Sequence, residues 1–223
     1  MKNISKLSCL AIAMLMSATL MTNCTKNDDT TIVLLGQEQY IEDILAVIPD
    51  TLIDVFNEQF GNYVNGYIPP NIEGEYLFSP KRRKATSVNT QLWPIGIVEP
   101  DVKIKFTGQH NRMVTFIHFE ENETKTDTVY VIGKNSNFTV YYQENKSLDY
   151  GWYEIMYKRG IIYTGIVKDD GIYNLKYASI IMEVEDGSMG HGAHEPWPVG
   201  SFFIYEDGSE NGVAERHDWY NEE

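Results

Sequence analysis

Positive charge is scarce in this chain: 18 Lys and Arg stand against 32 Asp and Glu, for a formal charge of −14. A surface so acidic cannot neutralise a phosphate backbone, which excludes nucleic acid as a partner. Cysteine is scarcer still. Only Cys9 and Cys24 occur, so a disulfide framework does not hold the fold. Long apolar runs are missing as well: Leu7–Leu20 has 11 apolar residues in 14, short of the roughly 20 that a membrane helix needs. There is no Gly-x-Ser-x-Gly elbow, no phosphate-cradling glycine loop and no internal repeat. The 32 acids offer many carboxylate pairs and single out none as an acid/base couple. What is present is 223 residues, 43% hydrophobic and 13% aromatic, enough for one globular domain with a core of its own.

The first residues read as a targeting segment. Lys2 and Lys6 precede the apolar run, small residues Ser17, Ala18 and Thr19 lie near its end, and Met21-Thr22-Asn23-Cys24 follows it. These residues resemble a bacterial lipoprotein signal, with Asn23 where that signal usually has Gly or Ala. The resemblance implies cleavage after residue 23 and acylation of Cys24. Loss of Cys9 with the leader would leave Cys24 as the single thiol of the mature chain, at its first position. An ordinary secretory peptide or an N-terminal anchor helix is the other reading. Thr25-Lys-Asn-Asp-Asp29 resembles the charged export signals of cell-surface lipoproteins in Bacteroidetes-type bacteria. Together these imply an outer-membrane location, on the periplasmic or the outer side, with the membrane contacted through lipid. The acidic surface itself would be repelled by anionic headgroups.

Residues 24–36 read as a tether and 37–66 as a helical segment. Ile41, Ile44, Leu45 and Ile48, then Leu52, Ile53, Phe56 and Phe60, recur at three-to-four spacing. Pro49-Asp50 suits a helix first turn and Gly61 a C-terminal cap, so two short helices are predicted over 37–47 and 49–60. Residues 67–223 form the predicted β domain. Val102, Ile104 and Phe106 alternate with Lys103, Lys105 and Thr107. Residues 113–119, 126–132, 137–143, 152–158, 161–168, 172–184 and 201–206 are rich in β-branched and aromatic side chains. Turn signals separate them, among them Gly108–Asn111, Gly133–Ser136, Arg159-Gly160, Asp169–Gly171 and Asp207-Gly208. The fold class predicted is mainly β, eight to ten short antiparallel strands in a meander, closed as a barrel or folded as a sandwich. Pro70–Tyr76, with Gly74 two residues before an aromatic, resembles the opening strand of lipocalin-like (calycin) proteins; Tyr76 stands where those proteins usually have Trp.

Several clusters are candidates for chemistry. Tyr141, Tyr142, Trp152, Tyr153 and Tyr157 lie on neighbouring predicted strands; aromatics there stack on a sugar ring or an apolar ligand, or simply pair across the sheet. Asp207, Ser209, Asn211, Gly212, Val213, Glu215 and Asp218 fall at the spacing of an EF-hand-type loop, which would hold calcium weakly. Ala214, Asp218 and the strand-like Phe202–Tyr205 depart from that pattern. The alternative is a hairpin turned by Asp-Gly and Asn-Gly. His191, His194 and Glu195 could share a metal but sit in a loop broken by glycine and proline. Residues 183–223 hold 11 acids and one base, Arg216, and read as a solvated face or a cation-attracting one. Lys81–Lys84 reads as a basic hairpin tip. No cofactor other than weak calcium is expected. The function expected is binding of a small apolar or glycan-like ligand without catalysis. The alternatives are docking onto another envelope protein and, third, hydrolysis of a surface polymer.

Overall fold

Alternation builds the walls of this protein. Val102, Ile104 and Phe106 are almost wholly buried, whereas the Lys103 and Lys105 between them reach the surface. The same two-residue period recurs along the chain, because successive side chains of a strand point to opposite faces. The computed structural model describes residues 47–48, 53–54, 57–58, 66–88, 91, 93–120, 123–149, 154–185 and 197–217. The predicted signal segment, Cys24 and the tether lie outside them. Of the predicted helices, only Val47–Ile48, Ile53–Asp54 and Asn57–Glu58 are described.

The described part is one antiparallel sheet of eleven strands. They are β1 (Gly74–Phe78), β2 (Lys81–Thr86), β3 (Val98–Glu99), β4 (Val102–His110), β5 (Met113–Glu120), β6 (Glu123–Lys134), β7 (Asn137–Asp149), β8 (Glu154–Lys168), β9 (Gly171–Val184), β10 (Phe202–Asp207) and β11 (Val213–Arg216). Three pairs among them run on in line. β1 meets β11 and β4, and β2 beyond it meets β10 and β3. The first half of β9 meets β11 and its second half β10. With β1–β2, β3–β4 and β10–β11 each taken as one interrupted strand, every strand pairs with its neighbour in sequence. The last also pairs with the first, Tyr76 opposite Arg216 and Lys81 opposite Asp207. The strands therefore form a ring.

The ring is zipped at one end and split at the other. β6 and β7 pair only from Tyr130↔Tyr141 to Lys134↔Asn137. Beyond that point β6 keeps only β5 as partner, and β7 keeps only β8. The zipped end holds the main core, with Tyr76, Phe106, Phe116, Phe138 and Tyr163 inside. Ring–ring contacts tie it together: Phe106 and Phe116 stack at 5.1 Å, and Phe116 meets Tyr163 at 5.2 Å. At the seam, Arg216 donates to the Tyr76 hydroxyl at 3.1 Å and lies over its ring, and that hydroxyl donates to the Ile72 carbonyl. The outer face of β6–β10 is covered too: Ile132, Tyr141, Ile162, Ala178, Ile180 and Ile204 are all buried.

Three sequence expectations are corrected here. Strands β7, β8 and β9 have 13, 15 and 14 residues, so they are not short. Arg159-Gly160 does not turn the chain; β8 runs straight through it with a bulge at Lys158/Arg159. The glycine serves close approach instead, since a Cβ there would lie 3.0 Å from Met182 and 3.5 Å from Ile48. Lys81–Lys84 is not a hairpin tip either. It is strand β2, with Lys81 and Arg83 buried inside the ring and Arg82 and Lys84 exposed. A segment basic on both faces has no hydrophobic period to reveal it.

Candidate functional site

Inside the split half, β2, β3, β7, β8, β9 and β10 surround a cavity of about 180 Å³. The connections between β2 and β3 and between β9 and β10 each bring a tryptophan to it, Trp93 and Trp197. The two indoles meet edge to face at 5.4 Å, and Phe203 of β10 closes the group at 5.9 Å from Trp93 and 4.7 Å from Trp197. Tyr157 of β8 meets Trp197 at 6.1 Å. Tyr177 and Tyr205 line the wall below, 5.6 Å apart. A small cluster of Ile155, Tyr157 and Ile181 supports this end. Ile95, Ile97 and Val98, in and just before β3, are exposed apolar residues beside it.

Charged side chains share the interior with these rings. Glu99 takes an ion pair from Lys81 at 3.6 Å and another from Arg83. The Tyr205 hydroxyl donates to Glu99 at 3.0 Å and accepts from Arg83 at 3.2 Å. Arg83 is almost fully buried, its guanidinium 5.2 Å from the Trp93 ring and 5.4 Å from that of Tyr205. Across the ring, Glu144 on β7 bonds to Arg159 on β8 and pairs with Lys125 on β6 at 3.4 Å. This second pair bridges the split, where the backbone ladder has ended. Two carboxylates are thus each held between two cations. Burial and Glu99 push the Tyr205 hydroxyl well above its ordinary range. Burial and Glu144 do the same to Tyr142. Desolvation works against the charge of Arg159, but the Glu144 carboxylate bonded to it outweighs that and keeps it charged.

The aromatic residues singled out from sequence are dispersed. Tyr157 lines the cavity. Tyr142 is inside the main core, and Tyr141 is on the outer face, stacked on Tyr130 at 5.9 Å and 12°. Trp152 and Tyr153 lie outside the described residues. Periodicity alone could not separate Tyr141 from Tyr142, because a strand buried on both faces has no wet side to set the phase. Trp93, Trp197 and Phe203 were missed. The tryptophans sit in irregular connections without a period, and Phe203 read only as part of a strand.

The stretch with EF-hand spacing is divided between two strands. Asp207 ends β10, and Val213 and Glu215 belong to β11, opposite Tyr173 and Gly171. Its oxygens serve the turn: Asp207 Oδ1 accepts from the Ser209 amide at 2.9 Å, and Asn211 Oδ1 accepts from that of Val213 at 3.2 Å. Glu215 is exposed on its strand. Asp218, His191, His194 and Glu195 lie outside the described residues. Among the described residues no three His, Cys, Asp or Glu side chains converge as metal ligands would. In the acidic C-terminal stretch, Glu206 pairs with Lys84 at 3.1 Å, and Asp207 is buried.

No family model matches the chain, and neither a curated protein nor a solved structure matches it.

Proposed function

We propose that this chain is an envelope lipoprotein, held to the outer membrane by acyl chains on Cys24, that binds a small ligand without transforming it. In this reading the ring of strands works as a lipocalin-like barrel whose split end receives the ligand. The observation that carries it is the cavity walled by Trp93, Tyr157, Trp197 and Phe203. Ligand sites are concave and set apolar walls beside a few convergent polar groups, and this cavity sets its aromatic rings beside Lys81, Glu99, Lys146 and Arg159. Its volume of about 180 Å³ is small. An engineered apolar cavity of about 150 Å³ accommodates benzene, so the enclosed part of the ligand is about one ring. Glu99 is the one carboxylate among the described lining residues, and a glycosidase would need two facing each other. That favours binding over hydrolysis.

Native mass spectrometry of the full chain, after incubation with envelope extract and growth medium, tests this. A reproducible added mass that is lost in Trp197→Ala is expected. An unaltered apo mass in every extract would overturn the binding reading and favour a partner-docking role. The same spectra read the lipid on Cys24, whose mass should vanish in Cys24→Ser.

A further inference from the structure

One four-residue pattern occurs twice in this chain, Trp93-Pro94-Ile95-Gly96 before β3 and Trp197-Pro198-Val199-Gly200 before β10. The two copies fold alike. In each, the glycine completes a turn at positive φ, +85° at Gly96 and +89° at Gly200. The Gly96 amide donates to the Arg83 carbonyl at 2.8 Å, and the Arg83 amide donates to the Ile97 carbonyl at 2.9 Å. The second copy repeats this with Ile181: the Gly200 amide donates to its carbonyl at 2.8 Å, and its amide donates to the Ser201 carbonyl at 2.9 Å. Arg83 and Ile181 belong to β2 and β9, the two strands that flank β10. The turns therefore lie close together, and their indoles meet each other and Phe203. Each indole lines the cavity, whereas the aliphatic residue two places on points out: Ile95 is 58% exposed and Val199 61%. A Cβ on either glycine would meet nothing within 4 Å, so both tips stand clear of the described residues.

Charge sets these turns apart. The chain has 18 basic and 32 acidic side chains, yet none falls within Ala85–Val98 or Pro196–Tyr205. Ile97 and Val98 continue from the first tip and are exposed as well. With Ile95, Val199 and Trp93 they present a few hundred Å² of apolar surface, the size of patch that marks a docking site. It falls short of the ~800 Å² per partner that a stable protein interface buries. We infer that the two turns insert into the interface of a lipid bilayer, so that the edge of the ring carrying Trp93 and Trp197 faces the membrane. Anionic headgroups repel an acidic surface, and these uncharged stretches are where the chain meets the bilayer without that penalty. Aliphatic tips with tryptophan directly behind them match the depth profile of the interface, because an indole favours the headgroup level with its apolar body towards the lipid. The inference rests on the lipid-anchored reading above, which brings the domain to the membrane; the turns set how it sits there.

The test is tryptophan quenching on the full chain bound to phosphatidylcholine vesicles and separated from free protein by flotation. No tryptophan precedes Trp93, so the N-terminal segment, cleaved or not, contributes nothing to the signal. Lipids brominated near the top of their acyl chains quench an indole only at close range, and interfacial elements sit ~5–10 Å into the headgroup and acyl boundary. Fluorescence of the unaltered chain should therefore fall when brominated lipid replaces ordinary lipid. Ile95→Asp/Val199→Asp, with both changes at exposed tips, should float as before, keep its circular dichroism and lose the quenching. Quenching that persists in the double variant, or that is absent from a chain that floats, would overturn the inference and leave the anchor on Cys24 standing. A chain that does not float would overturn both. A dimer of the unaltered chain in detergent, missing in the double variant and accompanied by no quenching, would overturn the inference in favour of a second copy docked on the same turns. The added mass expected from the extracts depends on none of these results, so the ligand-binding reading stands or falls separately.

Discussion

Glu144 is the side chain whose removal tests the interior charge arrangement most directly. Only 7% of its side chain is exposed, against 16% for Arg159 and 30% for Lys125. Substituting Glu144→Leu would leave the Arg159 guanidinium largely buried without its carboxylate. Breaking a buried pair from one side costs about 3–5 kcal/mol, a large part of the roughly 5–15 kcal/mol that holds a typical domain together. Lys125 contributes little to this, since a pair so open to water is worth about 0–1 kcal/mol; Lys125→Met should therefore change stability by less than about 1 kcal/mol. The double variant Glu144→Leu/Arg159→Met is the decisive comparison. It removes both charges and fills the space with apolar atoms, so it should recover most of the single variant's loss, because apolar replacements of buried pairs are often neutral or stabilising by about 1–4 kcal/mol. Equilibrium urea unfolding followed by circular dichroism reads all four proteins, with an unchanged slope as the check that only stability moved. A single-variant loss under about 1 kcal/mol, or a double variant no more stable than the single, would refute the claim that Glu144 and Arg159 compensate one another inside the ring.

Other outcomes follow from the packing. Phe116→Ala, in the middle of the core beside Phe106, Tyr142 and Tyr163, should cost about 3–5 kcal/mol in the same urea assay. Trp197→Ala, at the half-open cavity, should cost clearly less. Gly133→Ala should cost about 1–3 kcal/mol or more and expose the β6–β7 amides to hydrogen exchange, because a Cβ would run into the Asn137 carbonyl of its own hairpin and lie 2.9 Å from Pro70. Stability should also fall as pH rises above about 10, the unfolded tyrosine value. Tyr76, Tyr142 and Tyr205 are raised in the folded chain, chiefly by burial. The unfolded state therefore releases protons that the native state keeps, and the stability present below pH ~10 is lost through the folded range. Tyrosinate absorbance appearing for these residues before unfolding would contradict this.

How much of this could be read from the residues depended on whether a strand had one wet face. β4 did, and its alternation placed Val102, Ile104 and Phe106 inside. The turns at Asn111, Asn135 and Asp169–Asp170 were legible because Asn at positive φ and Asp next to Gly are local signals. β8 and β9 are apolar on both faces, so they read as strands without a phase, and Gly160 was mistaken for a turn when its role is to admit Ile48 and Met182. β2 failed for the opposite reason. Lys81-Arg-Arg-Lys84 is uniformly basic, and what divides it into inside and outside is Glu99, which is distant in sequence until β3 pairs with β2. The site was hidden by the same cause. Its rings come from β8, β10 and two irregular connections, and its charges from β2, β3, β7 and β8, so no window of sequence contains it.

The split between β6 and β7 connects these observations. A ring zipped along its whole length would fill its interior with side chains, as the zipped half does with Phe106, Phe116 and Phe138. Where the ladder stops after Tyr130↔Tyr141, the strands separate, water reaches the inner face at Asp127, and charged side chains become tolerable inside. The Lys125–Glu144 pair then does across the gap what backbone hydrogen bonds do elsewhere, while leaving space beside it. A charged interior and an incomplete ladder thus go together, and Lys146 of β7, beyond the end of the ladder, is the residue of that strand that lines the cavity.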